Sequence, residues 1–507
     1  PLPSGMFAMG VSSGDPLPDG VVLWTRLAPT PLTGGGMPNR VVEVAWEVAE
    51  DEQFSLIRAR GSELAQPGSG HSVHAEVNGL SADSEYFYRF KAGTELSPVG
   101  RTRTAPATDA SISQLRFAFA SCQNWQDGYF TPFHHMVEEN ISFVTFLGDF
   151  IYESTPKAGA IRQHEGGDST YEPTSLVQYR NRYGQYHLDP DLLAARAAFP
   201  WIVTLDDHEV DNNWAGDKPQ DPDKQTPQAF AARRAAAFQA YYEHMPLWRA
   251  AMPNQLGMQV YRRLNFGQLA TMHVLDTRQY RSYQPKTLPE AENPAQTMTG
   301  PEQEQWLVNG MENSGRTWNL LANQVMWAEN DQSSKPGKQY DFDNWDGYRV
   351  QRRRLLEFFG SGRTSNPVVL TGDRHATWVC DLKPDFADPA SPVTSAEITG
   401  SSISSGGDPD NAKFHRDYDP VMAESPHWKY IDQRRCYMLC DLTPGGLHTS
   451  LRLVNTVWQP SGTTISTAAE FLVESGRPGI HVVSQQPQAQ ARKALEGKRY
   501  PVDDDQF

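Results

Sequence analysis

The sequence predicts a small all-β module followed by one large layered α/β domain, and three observations predict it. Residues 1–108 carry short alternating apolar runs separated by Gly, Pro and Ser turns. Residues 109–475 alternate β-branched and aromatic runs with longer helical stretches, the rhythm of a wound sheet. Five of the apolar runs end in ligand-type residues: Cys122, Asp149, Asp206-Asp207-His208, Asp276 and Asp373-Arg374-His375. Residues 476–507 are expected to form a polar, Gln-rich tail ending in Asp503-Asp504-Asp505.

In chain order, residues 41–48 and 86–90 alternate with period two, as half-buried strands do. Tyr86-Phe87-Tyr88 before a turn resembles the late strand of a fibronectin-like module, so a small antiparallel sandwich is expected. Ser13-Gly14-Asp15-Pro16 reads as a turn, and residues 101–110, rich in Thr, Pro and Ala, read as a linker. A strand at 115–122 and a helix at 133–139 precede the buried run that begins at Phe143. Gly148 breaks that run and leaves Asp149 at its carboxyl end, with Tyr152 three residues on. Helices are expected at 176–186, 191–198 and 228–245, and a strand at 199–205. Further strands are expected at 269–276, 318–323 and 367–371, then an antiparallel pair at 435–442 and 447–457.

Composition narrows the classes. At 507 residues the chain exceeds one ordinary domain. A net charge of −16 argues against nucleic acid or an anionic membrane as a bulk partner. No apolar run reaches the length of a membrane span. Pro1-Leu2-Pro3-Ser4-Gly5 lacks an initiator Met and a signal region, which is read as a processed end. Four cysteines do not make a disulfide scaffold. Cys436 and Cys440 lie about 13 Å apart along one strand, too far to bridge, while pairing of Cys380 with either stays open.

The strand ends carry the chemistry. Ligands of open α/β sheets gather at the carboxyl edge, where loops from several strands converge. A carboxylate at Asp149 and a phenol at Tyr152 point to a hard di- or trivalent cation. The plainer reading has Asp149 capping a helix with Tyr152 packed beneath it. Taken together, the five strand ends resemble a multinuclear metal site fed by successive strands.

Gly148-Asp149 with Tyr152, Asp207-His208-Glu209 and Gly372-Asp373-Arg374-His375 resemble a rewritten metallophosphoesterase signature. With Ser13-Gly14-Asp15-Pro16 near the front, the chain resembles the alkaline phosphatase D (PhoD) family from about residue 5 to about residue 460. The resemblance implies a four-layer αββα metallophosphoesterase-like domain behind the β-sandwich. It implies a secreted or periplasmic, monomeric phosphoester hydrolase, an alkaline phosphatase with phosphodiesterase activity. It also implies an Fe3+/Ca2+ cluster that activates an oxygen nucleophile, with two Ca2+ ions. By resemblance, Cys122, Asp149, Tyr152 and Asp373 hold Fe3+, while Asp149 bridges to calcium held further by Asp206, Asp207 and Asn213. Thiolate and phenolate suit Fe3+, and carboxylate and amide oxygens suit Ca2+.

Arg374, with Asn213, is expected to bind the phosphate, and His208 to protonate the leaving group. His375 is either a ligand or a hydrogen-bond donor to one. No upstream His of ordinary metallophosphatases is assignable; Asn323-Gln324 is the nearest equivalent. His71 and His74 are read as bystanders in the β module, at most one of His134 and His135 points to the site, and His164 with Glu165 beside Gly166 and Gly167 either lines its mouth or lies in a solvated loop. The loop of Asp343, Asn344, Trp345, Asp346 and Tyr348 either shapes substrate choice or is ordinary surface. Two other functions stay in view: a phosphodiesterase of phospholipase D type, and an inactive phosphate- or glycan-binding protein on the same scaffold.

Overall fold

Two β-sheets lie face to face at the centre of the chain, and helices cover both outer faces. The computed structural model describes residues 2–166, 172–254, 257–333 and 337–486. The first sheet has ten strands. Leu115–Ala120, Val144–Phe146, Pro200–Val203 and Val11–Leu17 run parallel at its middle. The second has seven, with Ala270–Val274, Trp318–Ala322, Pro367–Thr371 and Ser395–Thr399 parallel.

Between the sheets, Phe117, Phe119, Phe143 and Ile202 meet Met272, Leu320, Val368 and Ile398 in one dry core. Strands buried on both faces read as continuous apolar runs, which is why these segments are easy to recognise in sequence. Outside the first sheet, helices Leu176–Tyr186, Pro190–Ala198 and Pro227–His244 bury Tyr183, Leu192 and Phe238 against Phe146 and Trp201. Outside the second, helices Gly300–Glu312, Arg349–Phe359 and Asn411–Glu424 bury Leu307, Leu355 and Phe414 against Leu321 and Val369. The layering is αββα, as expected.

The helix starts follow local chemistry. Asp189 accepts from the backbone N–H groups of Asp191 and Leu192, and Thr226 from that of Ala229; a proline follows each cap. The helix expected at 133–139 instead spans Thr131–Met136, because Pro132 suits a first turn and starts it earlier.

Five expectations need correction. The front module is a sandwich whose first sheet is not its own. Val11–Leu17, Gly20–Arg26 and Ser72–Asn78 belong to the ten-stranded sheet, with Ser13 opposite Pro200. Only Ile57–Ala65, Val42–Ala49, Glu85–Ala92, Glu95–Leu96 and Gly100–Arg103 form a separate sheet, packed on the first through Leu23, Val44 and Tyr88. Alternation shows that a strand has a buried face but not which strand it pairs with. Ser13-Gly14-Asp15-Pro16 is therefore strand, not turn, and the linker begins after Arg103. Residues 477–485, assigned to the tail, form the edge strand Arg477–Gln485, with Ile480 in the inter-sheet core; residues 487–507 lie outside the described residues. Finally, all four cysteines are free and buried. Cys380 packs on the outer face of the second sheet and Cys436 and Cys440 between the sheets, so neither pairing forms. Among the described residues, no helix is long and apolar enough to cross a membrane.

Candidate metal centre

The parallel strands of both sheets end at one rim. Leu115–Ala120 runs into Cys122, Val144–Phe146 into Asp149, Pro200–Val203 into Asp206 and Asp207, and Pro367–Thr371 into Asp373. The turns interlock, since Cys122 N donates to Gly148 O and Gln123 N to Asp149 O, both at 3.1 Å. Of the ten non-glycine residues with positive φ among those described, Cys122, Asp149, Asn213, Asp373 and His375 lie at this rim. Such strain gathers where surrounding structure holds a functional side chain in place. Gly148 (φ 112°) is required twice over, because a Cβ there would stand 2.5 Å from Cβ of Asp206.

Three overlapping groups of donor atoms form here, each within 4.8 Å of one another: Cys122, Asp149 and His375; Asp149, Asp207 and His208; and Asp206, Asp207 and Asp373. Tyr152 joins them through its hydroxyl, which donates to Asp149 Oδ2 at 3.1 Å, accepts from Ser405 Oγ at 2.8 Å and lies 2.9 Å from His375 Nε2. Asn213 N donates to Asp207 Oδ2 at 2.8 Å. His208 stacks on Tyr152 with ring centroids 4.1 Å apart and meets Glu153 Oε2 through Nδ1 at 2.7 Å. Arg374 Nη1 donates to Asp341 Oδ2 at 3.0 Å. Cys122, Asp149, Tyr152, Asp206, Asp207, His208, Asp373 and His375 thus come together at one rim, and Asp149 is no helix cap.

Asp276 stays out of the cluster. Its carboxylate accepts from the backbone N–H groups of Arg278 and Gln279 and from Gln279 Nε2, so it closes a turn. That turn aims Arg278, which sequence reasoning passed over. Arg278 is fully buried, donates to Asp206 Oδ1 at 2.6 Å and forks onto Asp343 at 2.9 and 2.7 Å. Asp343 also takes Arg281 at 2.7 Å, so the loop read as substrate-shaping or plain surface is an ionic brace. Asn323 and Gln324 brace strand ends: Asn323 donates to Thr371 Oγ1, and Gln324 to Leu275 O.

The remaining histidines are engaged elsewhere or lie apart. His71 meets Arg40 O, His74 meets Tyr242 O, and His134 and His135 meet Asp191 and Thr463. His164 is buried outside the three donor groups, and Gly167 lies outside the described residues. Asp15 is buried and paired with Arg262 at 2.6 Å.

Electrostatics tests whether these donors fit cations. Burial, with Asp207 and Asp206 close by, pushes the Asp149 carboxyl far above the usual range, and burial and Asp206 do the same to Asp373. Asp206 is pushed up to about 6 by burial, against the pull of Arg278. Burial and Asp149 raise both the Cys122 thiol and the Tyr152 phenol. Burial opposes charge on Asp207 and His208 too, but Arg278 and His208 hold Asp207 low, and Glu153 and Asp207 hold His208 high. Burial and Arg435 push His375 well down, leaving a neutral imidazole. Asp149 Oδ1, Asp206 Oδ2 and Asp207 Oδ1 are buried with no hydrogen-bond partner. Each such acceptor costs about 1–3 kcal/mol, and more when charged. Positive ions among these oxygens would remove both the mutual repulsion and the missing partners, so the donor set fits metal ions.

Comparison with known proteins assigns the family. The family model described as PhoD-like phosphatase matches residues 117–451, and that of the PhoD-like phosphatase N-terminal domain matches residues 2–106. The chain belongs to the PhoD-like phosphatase family. Within this family, alkaline phosphatase D of Bacillus subtilis (strain 168) is 46% identical over 489 residues, covering 94% of this chain and 82% of that protein. A solved structure of PhoD superposes with a TM-score of 0.91 at 46% identity, covering 96% of this chain and 94% of that one. The purple acid phosphatase PPD1 from yellow lupin (Lupinus luteus) seeds matches with a TM-score of 0.55 at 10% identity, covering 92% and 74%. That match shows the shared metallophosphoesterase-like fold alone. Family, fold and donor set together support a metal-dependent phosphatase of PhoD type.

Proposed function

We propose that this chain hydrolyses phosphate monoesters and diesters at a centre that holds one Fe3+ and two Ca2+ ions. The observation that carries the reading is the convergence of Cys122, Asp149, Tyr152, Asp206, Asp207 and Asp373 around three buried carboxylate oxygens without hydrogen-bond partners. Cys122, Asp149, Tyr152 and Asp373 are assigned to Fe3+. Asp206, Asp207 and Asn213, together with Asp149, would hold Ca2+. When bound, the ions neutralise the ester's charge and make hydroxide available near neutral pH.

The chain's own groups do the rest. Arg374 keeps Nε and Nη2 buried without partners, a pair of donors suited to two oxygens of a phosphoryl group. Asn213, whose backbone N–H donates to Asp207 Oδ2, is assigned as a second contact to the ester. His208, kept charged by Glu153 on Nδ1, delivers a proton from Nε2 to the departing alkoxide. His375 stays neutral and positions the Tyr152 oxygen through its 2.9 Å contact. A monomer is proposed as the active form. Export to the periplasm or medium is proposed on the family resemblance. Elemental analysis for iron and calcium tests the centre. Turnover of nitrophenyl phosphate, its bis-ester and a phosphatidylcholine separates monoesterase, diesterase and phospholipase D activity, and no turnover of any ester in metal-replete protein refutes the reading.

Two variations probe the assignment. Tyr152→Phe keeps the packing on His208 but removes the phenolic oxygen, so tyrosinate-to-iron absorption disappears; persistence of the colour removes Tyr152 from the ligand set. Selective calcium chelation stops turnover while iron stays bound, because thiolate and phenolate retain Fe3+. Full activity in calcium-free protein, checked by elemental analysis, contradicts the mixed-metal assignment.

A further inference from the structure

Arg374 is hydrogen-bonded through one corner of its guanidinium, which also lies 5.4 Å from the centre of the Trp378 ring. Nη1 donates to Asp341 Oδ2 at 3.0 Å, while Nε and Nη2, buried beside Asp373, have no hydrogen-bond partner. Those two nitrogens form the edge of the fork that meets two oxygens side on. Asp341 is itself fixed. Its Oδ1 accepts from Asp343 N at 2.9 Å, and its Oδ2 also accepts from Asn344 Nδ2 at 3.1 Å. Asp343 is in turn gripped by Arg278, which reaches Asp206. The loop of Asp341 to Asn344 therefore ties Arg374 to the carboxylate cluster through three ion pairs, Arg374–Asp341, Arg278–Asp343 and Arg278–Asp206.

Resting on the phosphoester reading above, we infer that Asp341 is a positioning residue: it pins Nη1 so that the Nε–Nη2 edge of Arg374 is presented to the phosphoryl group. Asp341 touches no substrate and acts only through Arg374. Without it, Nη1 is free to turn, and the fork loses its single orientation. Pre-set geometry of this kind is what makes a bidentate grip worth more than a point charge.

The test uses metal-loaded protein and inorganic phosphate as the probe, with binding measured by equilibrium dialysis and turnover measured on nitrophenyl phosphate. Asp341→Ala is expected to weaken phosphate binding and raise KM about tenfold, the scale of one hydrogen bond to a charged group, with a smaller change in kcat. Iron and calcium per chain stay at parent levels. In an Arg374→Ala background the same substitution has no further effect, which a merely structural role would not produce. Asp341→Glu restores part of the affinity. Asp341→Asn, which keeps an acceptor for Asp343 N, shows the same direction of change should the alanine variant fold poorly. Phosphate affinity at the parent value, or an equal loss in both backgrounds, overturns the assignment. A parent protein that hydrolyses no ester, yet loses phosphate affinity on Asp341→Ala, sinks the hydrolase reading and leaves the positioning role standing.

Discussion

Asp149→Asn is expected to empty the centre of iron and calcium together and to lower turnover by about a thousandfold or more, the several kcal/mol that bound cations supply. Asp149 belongs to both the group with Cys122 and His375 and the group with Asp207 and His208, and among the described residues no other carboxylate joins these two groups. Its Oδ2 meets Tyr152 and Cys122, and its Oδ1 has no partner. Asn matches its shape and tolerates the left-handed backbone at this position (φ 58°), so the turn survives. The fold survives as well. Burial and neighbouring carboxylates raise the Asp149 carboxyl in the folded chain, so the metal-free protein loses stability as pH rises from the ordinary carboxylate range to that raised value, and the loss is complete above it. The metal-free Asn variant is therefore at least as stable as the metal-free parent above neutral pH. Elemental analysis and thermal unfolding check both halves of the prediction, and parent-level metal in the variant refutes it.

Arg278→Met is expected to destabilise the metal-free chain by about 3–5 kcal/mol, the cost of breaking a buried ion pair and leaving its partners uncompensated. Arg278 is the fully buried cation between Asp206 and Asp343, and it lies 3.8 Å from Asp207. Met matches much of its length but none of its charge. With metals bound the loss is smaller, because cations beside Asp206 and Asp207 take over part of the compensation. Thermal unfolding with and without chelator reads the difference. Equal losses in the two states place the metals away from Asp206 and Asp207.

The sequence displays most of the centre because its signals are local. A buried run, a breaking glycine and a carboxylate after it occupy a few adjacent positions, as in Leu147-Gly148-Asp149 and Thr371-Gly372-Asp373. The same signal misleads at Asp276, which also ends a buried strand yet spends its oxygens on its own turn. Nothing around Arg278 or Asp341 separates them from surface charges in the sequence, since their partners lie 72 and 33 residues away. The strand Val11–Leu17 shows the same limit for the fold: its alternation is legible, but its pairing with Pro200–Val203 is not.

From the order of residues come the strand ends and the polar groups placed on them, which follow from periodicity and breakers acting within a few residues, while the αββα layering and the ligand assignments come from the family resemblance. Tertiary structure alone decided that the front strands extend the large sheet, that Cys380 lies across a sheet from Cys436 and Cys440, and that Arg278, Asp343 and Asp341 brace the centre. Ladder partners and buried ion pairs are chosen by burial and charge balance between distant segments, and such choices leave no mark on the neighbouring residues of the chain.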